Sequence, residues 1–131
     1  MRILGHGIDI IETARIERLL DRQGEKFLQR CYTKREMVLA EDLKQRVQFL
    51  SGRFAAKEAV FKVLGTGLRP GMRWTDAEIL RNDAGRPVIE LSGASADIAA
   101  GLGIDEWWLS ISHIASHATA SAIGVAGASS E

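Results

Sequence analysis

Two acidic residues stand out by their surroundings. Asp9 follows Gly7-Ile8 and interrupts an otherwise apolar run. An ionised carboxylate there is costly to bury unless it is paired or metal-bound. The plainer alternative is a carboxylate at a strand end that accepts backbone N–H bonds. Glu58 sits in a proline-free stretch, and successive helical residues turn by about 100°. It therefore projects between Phe54 and Phe61, close to Ala55 and Lys62, on the apolar side of its helix. A surface pair between Glu58 and Lys62 would contribute only about 0.3–0.5 kcal/mol, and it would not account for the phenylalanine flanks. Two carboxylates on separate elements, without a histidine–cysteine cluster, suit a hard cation such as Mg²⁺. That ion takes few protein ligands and completes its octahedron with waters and substrate phosphates. Lys62 beside it would complete a phosphate clamp. Arg53 and Lys57 flank this stretch on other faces. Gly65-Thr66-Gly67 offers close backbone approach and a hydroxyl, although a helix ends there and its dipole does not favour anions. His113 closes an apolar strand, His117 lies across a turn from it, and His6 has no evident partner. No serine, histidine and acid assemble into a triad from spacing alone.

The elements that must position these groups follow from periodicity. Residues 2–11 read as a strand. Residues 13–22 turn helical, with Ile16, Leu19 and Leu20 as one stripe. Residues 25–30 form a short helical piece. Thr33 and Glu36 have the form of a capping box opening a helix to about Leu43. Residues 45–64 form the longest helix, ended by Gly65. Residues 76–81 and 87–91 make a hairpin around the turn-rich residues 82–86. Residues 92–103 form a modest helix, and residues 107–114 and 117–126 alternate as two paired strands. Residues 126–131 read as a frayed tail. The fold class is α+β: a long central helix packed on a small, largely antiparallel sheet. Ala118, Ala120 and Ala122 share one strand face, which permits close approach to a helix or to another subunit. A subunit contact is the expectation.

Bulk properties narrow the classes. The 131 residues suit one domain spanning 1–131. With 17 basic and 17 acidic side chains, the chain lacks the basic excess of nucleic-acid binders. The lone Cys31 excludes an internal disulfide and a multi-cysteine zinc site, and its apolar neighbours predict a buried thiol. The N-terminus lacks a signal-peptide core, and no run approaches the roughly 20 apolar residues of a membrane helix. A cytoplasmic enzyme without membrane contact is expected.

Gly7-Ile8-Asp9-Ile10-Ile11-Glu12, followed by Arg15-Ile16, resembles the first motif of the holo-acyl-carrier-protein synthases, a phosphopantetheinyl transferase family. Phe49-Leu50-Ser51-Gly52-Arg53-Phe54-Ala55-Ala56-Lys57-Glu58-Ala59, then Lys62 and Gly65-Thr66-Gly67, resembles the second. Gly85-Arg86-Pro87 and Ser110-Ile111-Ser112-His113 match a later hairpin and strand, so the resemblance covers nearly the whole chain. It departs at His6, often apolar in the family, and at Val63, often alanine.

The resemblance implies transfer of 4′-phosphopantetheine from coenzyme A to a serine of apo-acyl carrier protein, with release of adenosine 3′,5′-bisphosphate, in support of fatty acid biosynthesis. It implies Asp9 and Glu58 as Mg²⁺ ligands, and Lys62 at the coenzyme A diphosphate. Arg53, Gly65, Thr66 and His113 are implied for coenzyme A, and Glu58 and Lys62 for catalysis. Either Glu58 or a water at the metal would take the serine proton. Arg15 is implied at the carrier contact, and Arg18 and Arg22 share its helix face. The family assembles as a homotrimer with sites at subunit interfaces. A transferase serving a specialised synthase is the alternative within enzymes. A non-catalytic coenzyme A-binding module would require loss of a metal carboxylate, and both are present.

Overall fold

The computed structural model describes residues 1–127; of the expected frayed tail 126–131, residues 128–131 lie outside them, while Ala126 ends a strand. Strand β1 (Arg2–Glu12) runs directly into helix α1 (Thr13–Gln23), and α2 (Glu25–Cys31) follows after Gly24. Helix α3 (Lys34–Ala40) opens on the expected capping box. The Thr33 hydroxyl accepts from the Glu36 N–H, and the Glu36 carboxylate accepts from the Thr33 N–H at 2.8 Å. This helix stops at Ala40, short of Leu43, because the chain leaves helical geometry at Glu41 and Asp42 takes a left-handed conformation that short polar side chains tolerate. Helix α4 (Arg46–Leu64) is the centre of the molecule. A 3₁₀ turn (Trp74–Asp76) leads to the hairpin β2 (Ala77–Arg81) and β3 (Pro87–Leu91), then α5 (Gly93–Leu102), β4 (Glu106–His113) and β5 (His117–Ala126).

The expected single sheet is two. β1, β5 and β4 form an antiparallel three-stranded sheet with β5 in the middle, and β2–β3 is a separate ribbon. Between them α4 is covered on nearly every side: Leu50 through Lys57, Ala59 to Phe61, Val63 and Leu64 are all buried. A helix buried all round needs small residues where it meets a sheet closely, and α4 supplies Gly52, Ala55, Ala56 and Ala59. Gly7 of β1 completes this fit, since a Cβ there would collide with the carbonyl oxygen of Ala59. That approach sets the distance between the carboxylate on β1 and the one on α4.

The alanine face has a different partner from the one expected. Ala118, Ala120 and Ala122 are buried within the chain, on the face of β5 turned to α4. On the same strand, a Cβ at Gly124 would meet Val63 and Ile104. The small side chains admit the helix. The opposite face of the sheet is the open one: Ile8 and Ile10 are 60% and 68% exposed, with Ile3 and Trp108 exposed beside them. The sequence signal for close approach was correct, but small side chains do not specify which neighbour approaches. Cys31 is buried as expected, and burial pushes its thiol up to about 11.

Candidate active site

Asp9 lies on the face of β1 that carries Gly7 and Ile11 toward α4. Thr119 fixes the strand there by donating from its hydroxyl to the Asp9 carbonyl at 2.8 Å. Lys62, on α4, donates to the Asp9 carboxylate at 3.0 Å and to the Ile8 carbonyl at 2.8 Å. The pair the spacing suggested, Glu58 with Lys62, is therefore replaced by Lys62 with Asp9: the lysine reaches across to the strand instead of back along its own helix. Glu58 is half-buried beside this pair. Burial raises its carboxyl above the ordinary glutamate value, and the Asp9 carboxylate raises it further; Arg15 and Lys62 oppose both effects. Two carboxylates thus face one another with one lysine and one arginine close by. Arg15, at the start of α1, lies over the Phe54 ring with its Cζ 5.5 Å from the centroid. With Ile10, Ile11, Glu12, Arg18 and His117 it lines a cleft of about 340 Å³. Arg22 is exposed farther along α1.

Arg53 is the centre of a second cluster on α4. Arg53 is 7% exposed, and its Nε and Nη2 atoms are buried with no partner among the described residues. Its guanidinium stacks 4.1 Å from the Phe49 centroid, while Arg81 approaches the same ring at 5.8 Å. Burial lowers Arg53 to about 10, with the like charge of Arg81 acting in the same direction. A buried cation with spare donors beside a second cation is the environment of an anion site. His113 stands apart from this cluster: its Nδ1 is 2.8 Å from the side-chain oxygen of Gln48 on α4, and with Ile10, His117 and Thr119 it lines a separate cleft of about 220 Å³. Arg53 and Glu58 are five residues apart on one helix, so they project in directions about 140° apart. Gly65 caps α4 in left-handed geometry, and the Thr66 hydroxyl donates to the Gly67 carbonyl at 2.7 Å.

Some contributors were not visible in the sequence. Lys57, expected only on another face of α4, is fully buried. It donates to Glu36 at 2.8 Å and to the Trp74 and Ala77 carbonyls. Arg81 ends β2 before a turn, where an arginine looks like ordinary surface charge. A cleft of about 530 Å³ opens between Arg86-Pro87-Val88 and β4, residues that the sequence singled out only in part. His6 finds a partner in Ser121, at 3.0 Å on the open sheet face.

Asp9, Glu58 and Lys62 are oxygen donors and a cation, the chemistry of a hard-metal phosphate site. Among the described residues no three His, Cys, Asp or Glu side chains group as a metal cage. Magnesium does not require one, because it is commonly held by one or two carboxylates plus substrate phosphates. The two facing carboxylates fit that need.

Comparison with known proteins identifies the family of the chain. Residues 5–120 match the model of the 4′-phosphopantetheinyl transferase superfamily. A holo-[acyl-carrier-protein] synthase of Koribacter versatilis is 44% identical, covering 92% of this chain and 97% of the relative. One from Vibrio parahaemolyticus is 43% identical, covering 94% and 98%. The solved structure of Helicobacter pylori holo-[acyl-carrier-protein] synthase in complex with coenzyme A superposes with a TM-score of 0.81 at 33% identity, covering 92% of this chain and 99% of that one. The Bacillus anthracis structure with CoA (3′,5′-ADP) gives 0.78 at 37%, covering 95% and 97%. The chain belongs to the holo-[acyl-carrier-protein] synthases of the 4′-phosphopantetheinyl transferase superfamily.

Proposed function

We propose that this protein transfers 4′-phosphopantetheine from coenzyme A to a serine of an apo-acyl carrier protein, releasing adenosine 3′,5′-bisphosphate, and that the carrier serves fatty acid biosynthesis. The carrying observation is the facing pair Asp9 and Glu58, closed by Lys62 and Arg15, inside a chain of this family. Asp9 and Glu58 would hold Mg²⁺. When bound, the ion neutralises charge on the phosphoryl oxygens. Lys62, half exposed, is free to turn from Asp9 to the diphosphate. Glu58, whose carboxyl is raised by burial and by Asp9, is a candidate to take the serine proton. Catalysis of this kind is mainly positioning and electrostatics. Arg53 and His113 supply contacts to coenzyme A, and Gly65-Thr66 lies one turn beyond Lys62 for its phosphates. The direct test is incubation with apo-acyl carrier protein, coenzyme A and Mg²⁺. The expected result is a mass gain of one phosphopantetheine on the carrier, and an unmodified carrier would sink the reading.

The carrier docks on α1, whose Arg15, Arg18 and Arg22 share an exposed face. Acidic carriers would meet this stripe, and the charge of its first member is felt at Glu58. Arg15→Glu, alone or with Arg18→Glu, should raise KM for the carrier much more than KM for coenzyme A, and the wild-type advantage should shrink as salt rises. Kinetics with each substrate varied in turn, at low and high salt, check this. Equal loss for both substrates would reduce the stripe to a solvated helix face.

The working form is a homotrimer. The open sheet face with Ile3, Ile8, Ile10 and Trp108 is the apolar surface available for it, and the alanine face is already filled by α4. Divergent clusters on α4, one around Glu58 and one around Arg53, suit a site shared between neighbouring copies. Light scattering should give three times the chain mass. Ile8→Glu should lower that mass and the activity together, and a fully active monomer would refute the shared site.

A further inference from the structure

We infer that Trp74 is a positioning residue for Arg15, acting through Phe54, so that the turn after α4 sets where the carrier-docking arginine stands. The inference rests on the carrier reading of Arg15 above. Four observations carry it. The Trp74 and Phe54 rings are stacked, with centroids 4.7 Å apart and planes at 29°. Arg15 lies over the Phe54 ring at 5.5 Å. Phe61 holds Trp74 from its other neighbour on α4, with centroids 5.6 Å apart. The Trp74 carbonyl is tied to the buried Lys57 ammonium at 3.2 Å.

Arg15 is exposed and makes no carboxylate ion pair within 4 Å among the described residues. Its long side chain has many rotamers in water. The π face of Phe54 is the contact the structure gives its guanidinium, and an exposed contact of this kind orients without fixing. Phe54 is buried at 3% exposure, but a ring turns about its own bonds unless something packs on its face. Trp74 supplies the closer of two ring contacts there, at 4.7 Å between centroids against 6.4 Å for Phe27. Trp74 is half-buried, and it immediately follows the segment that begins with Gly65-Thr66-Gly67. The carbonyl contact to Lys57 involves backbone alone, so changing the Trp74 side chain leaves the turn tethered.

The test compares Trp74→Leu, Trp74→Phe, Arg15→Ala and the double variant Arg15→Ala/Trp74→Leu, using apo-acyl carrier protein and coenzyme A as probes. Trp74→Leu should raise KM for the carrier about two- to fivefold, the worth of one exposed cation–π contact. KM for coenzyme A should stay unchanged, and Trp74→Phe should restore the value. In the Arg15→Ala background, Trp74→Leu should cost nothing further, because the group it positions is gone. Arg15 side-chain proton resonances, shifted upfield by the Phe54 ring in the starting protein, should move toward exposed-arginine values in Trp74→Leu. An equal carrier penalty with and without Arg15 would mean that Trp74 touches the carrier itself, and the inference would fall. It would fall equally if Trp74→Leu raised both KM values, left both unchanged, or failed to fold. A starting protein that modifies no carrier would remove the functional reading instead, while the resonance shift would still report on the ring pair.

Discussion

Asp9→Ala and Glu58→Ala should each reduce carrier modification by on the order of a hundredfold or more, the range seen when one group stabilising transition-state charge is removed. Both variants should keep the fold. The side chains lie at the meeting of β1 and α4, but the close approach of those elements depends on Gly7 against Ala59, not on the carboxylates. Glu58→Gln sharpens the expectation. Folding raises the Glu58 carboxyl through burial and the neighbouring Asp9 charge, so the folded chain binds that proton more tightly than the unfolded chain does. The ionised carboxylate therefore weighs against folding at neutral pH. The penalty disappears below the ordinary glutamate range, where both states are protonated. In metal-free buffer at neutral pH, Glu58→Gln should melt at a higher temperature than the starting protein, with the difference fading on acidification. A residue that lowers stability while it raises rate is placed for function. Near-wild-type transfer by both alanine variants would end the metal assignment.

How far the sequence reached is clearest at α4. Its limits, its terminal Gly65 and the inward direction of Glu58 were legible, because they depend on local chemistry: a glycine in left-handed geometry and a 3.6-residue period. The partner of Lys62 was not, since Asp9 is 53 residues away and only the packing of β1 on α4 brings it within reach. The alanine strand shows the same limit, because small side chains announce close approach without naming what approaches. β4 pairs with β5 as expected, but no ladder joins β4 to β3, so the single sheet became two, and alternation says nothing about which hairpins join. Arg53 was singled out by its motif, but its unpartnered buried donors and its stacking on Phe49 beside Arg81 depend on tertiary contacts. The Thr33 and Glu36 capping box was legible, whereas the second duty of Glu36 was not.

That second duty gives the largest expected effect on stability. Glu36 and Lys57 are both fully enclosed, at 0% side-chain exposure, and meet at 2.8 Å. One oxygen of Glu36 takes the Thr33 N–H and the Lys57 ammonium, and the other takes the Ile79 N–H at 3.0 Å. Lys57 spends its other protons on the Trp74 and Ala77 carbonyls. Burial draws the lysine below its ordinary value, and the Glu36 carboxylate opposes that by its charge and its hydrogen bond. The network fastens α3, α4, the 3₁₀ turn and β2 at one point, one residue before Glu58. Lys57→Met would leave a carboxylate buried without a counter-charge, and Glu36→Leu would leave an ammonium with two carbonyls. Each single change should cost about 3–5 kcal/mol, a large share of the roughly 5–15 kcal/mol that holds a domain folded. The double change Glu36→Leu/Lys57→Met should cost less than the sum of the singles, because no lone charge remains to be buried. Urea unfolding of the three variants measures this directly. Singles within about 1 kcal/mol of the starting protein would show that water reaches the pair. A double variant whose cost equals that sum would show that the two charges do not depend on one another. If instead the singles unfold early and the double recovers, the cost of each single lies in the lone buried charge, and apolar packing at this point suffices to hold α4 against β2, and with it Glu58 near Asp9.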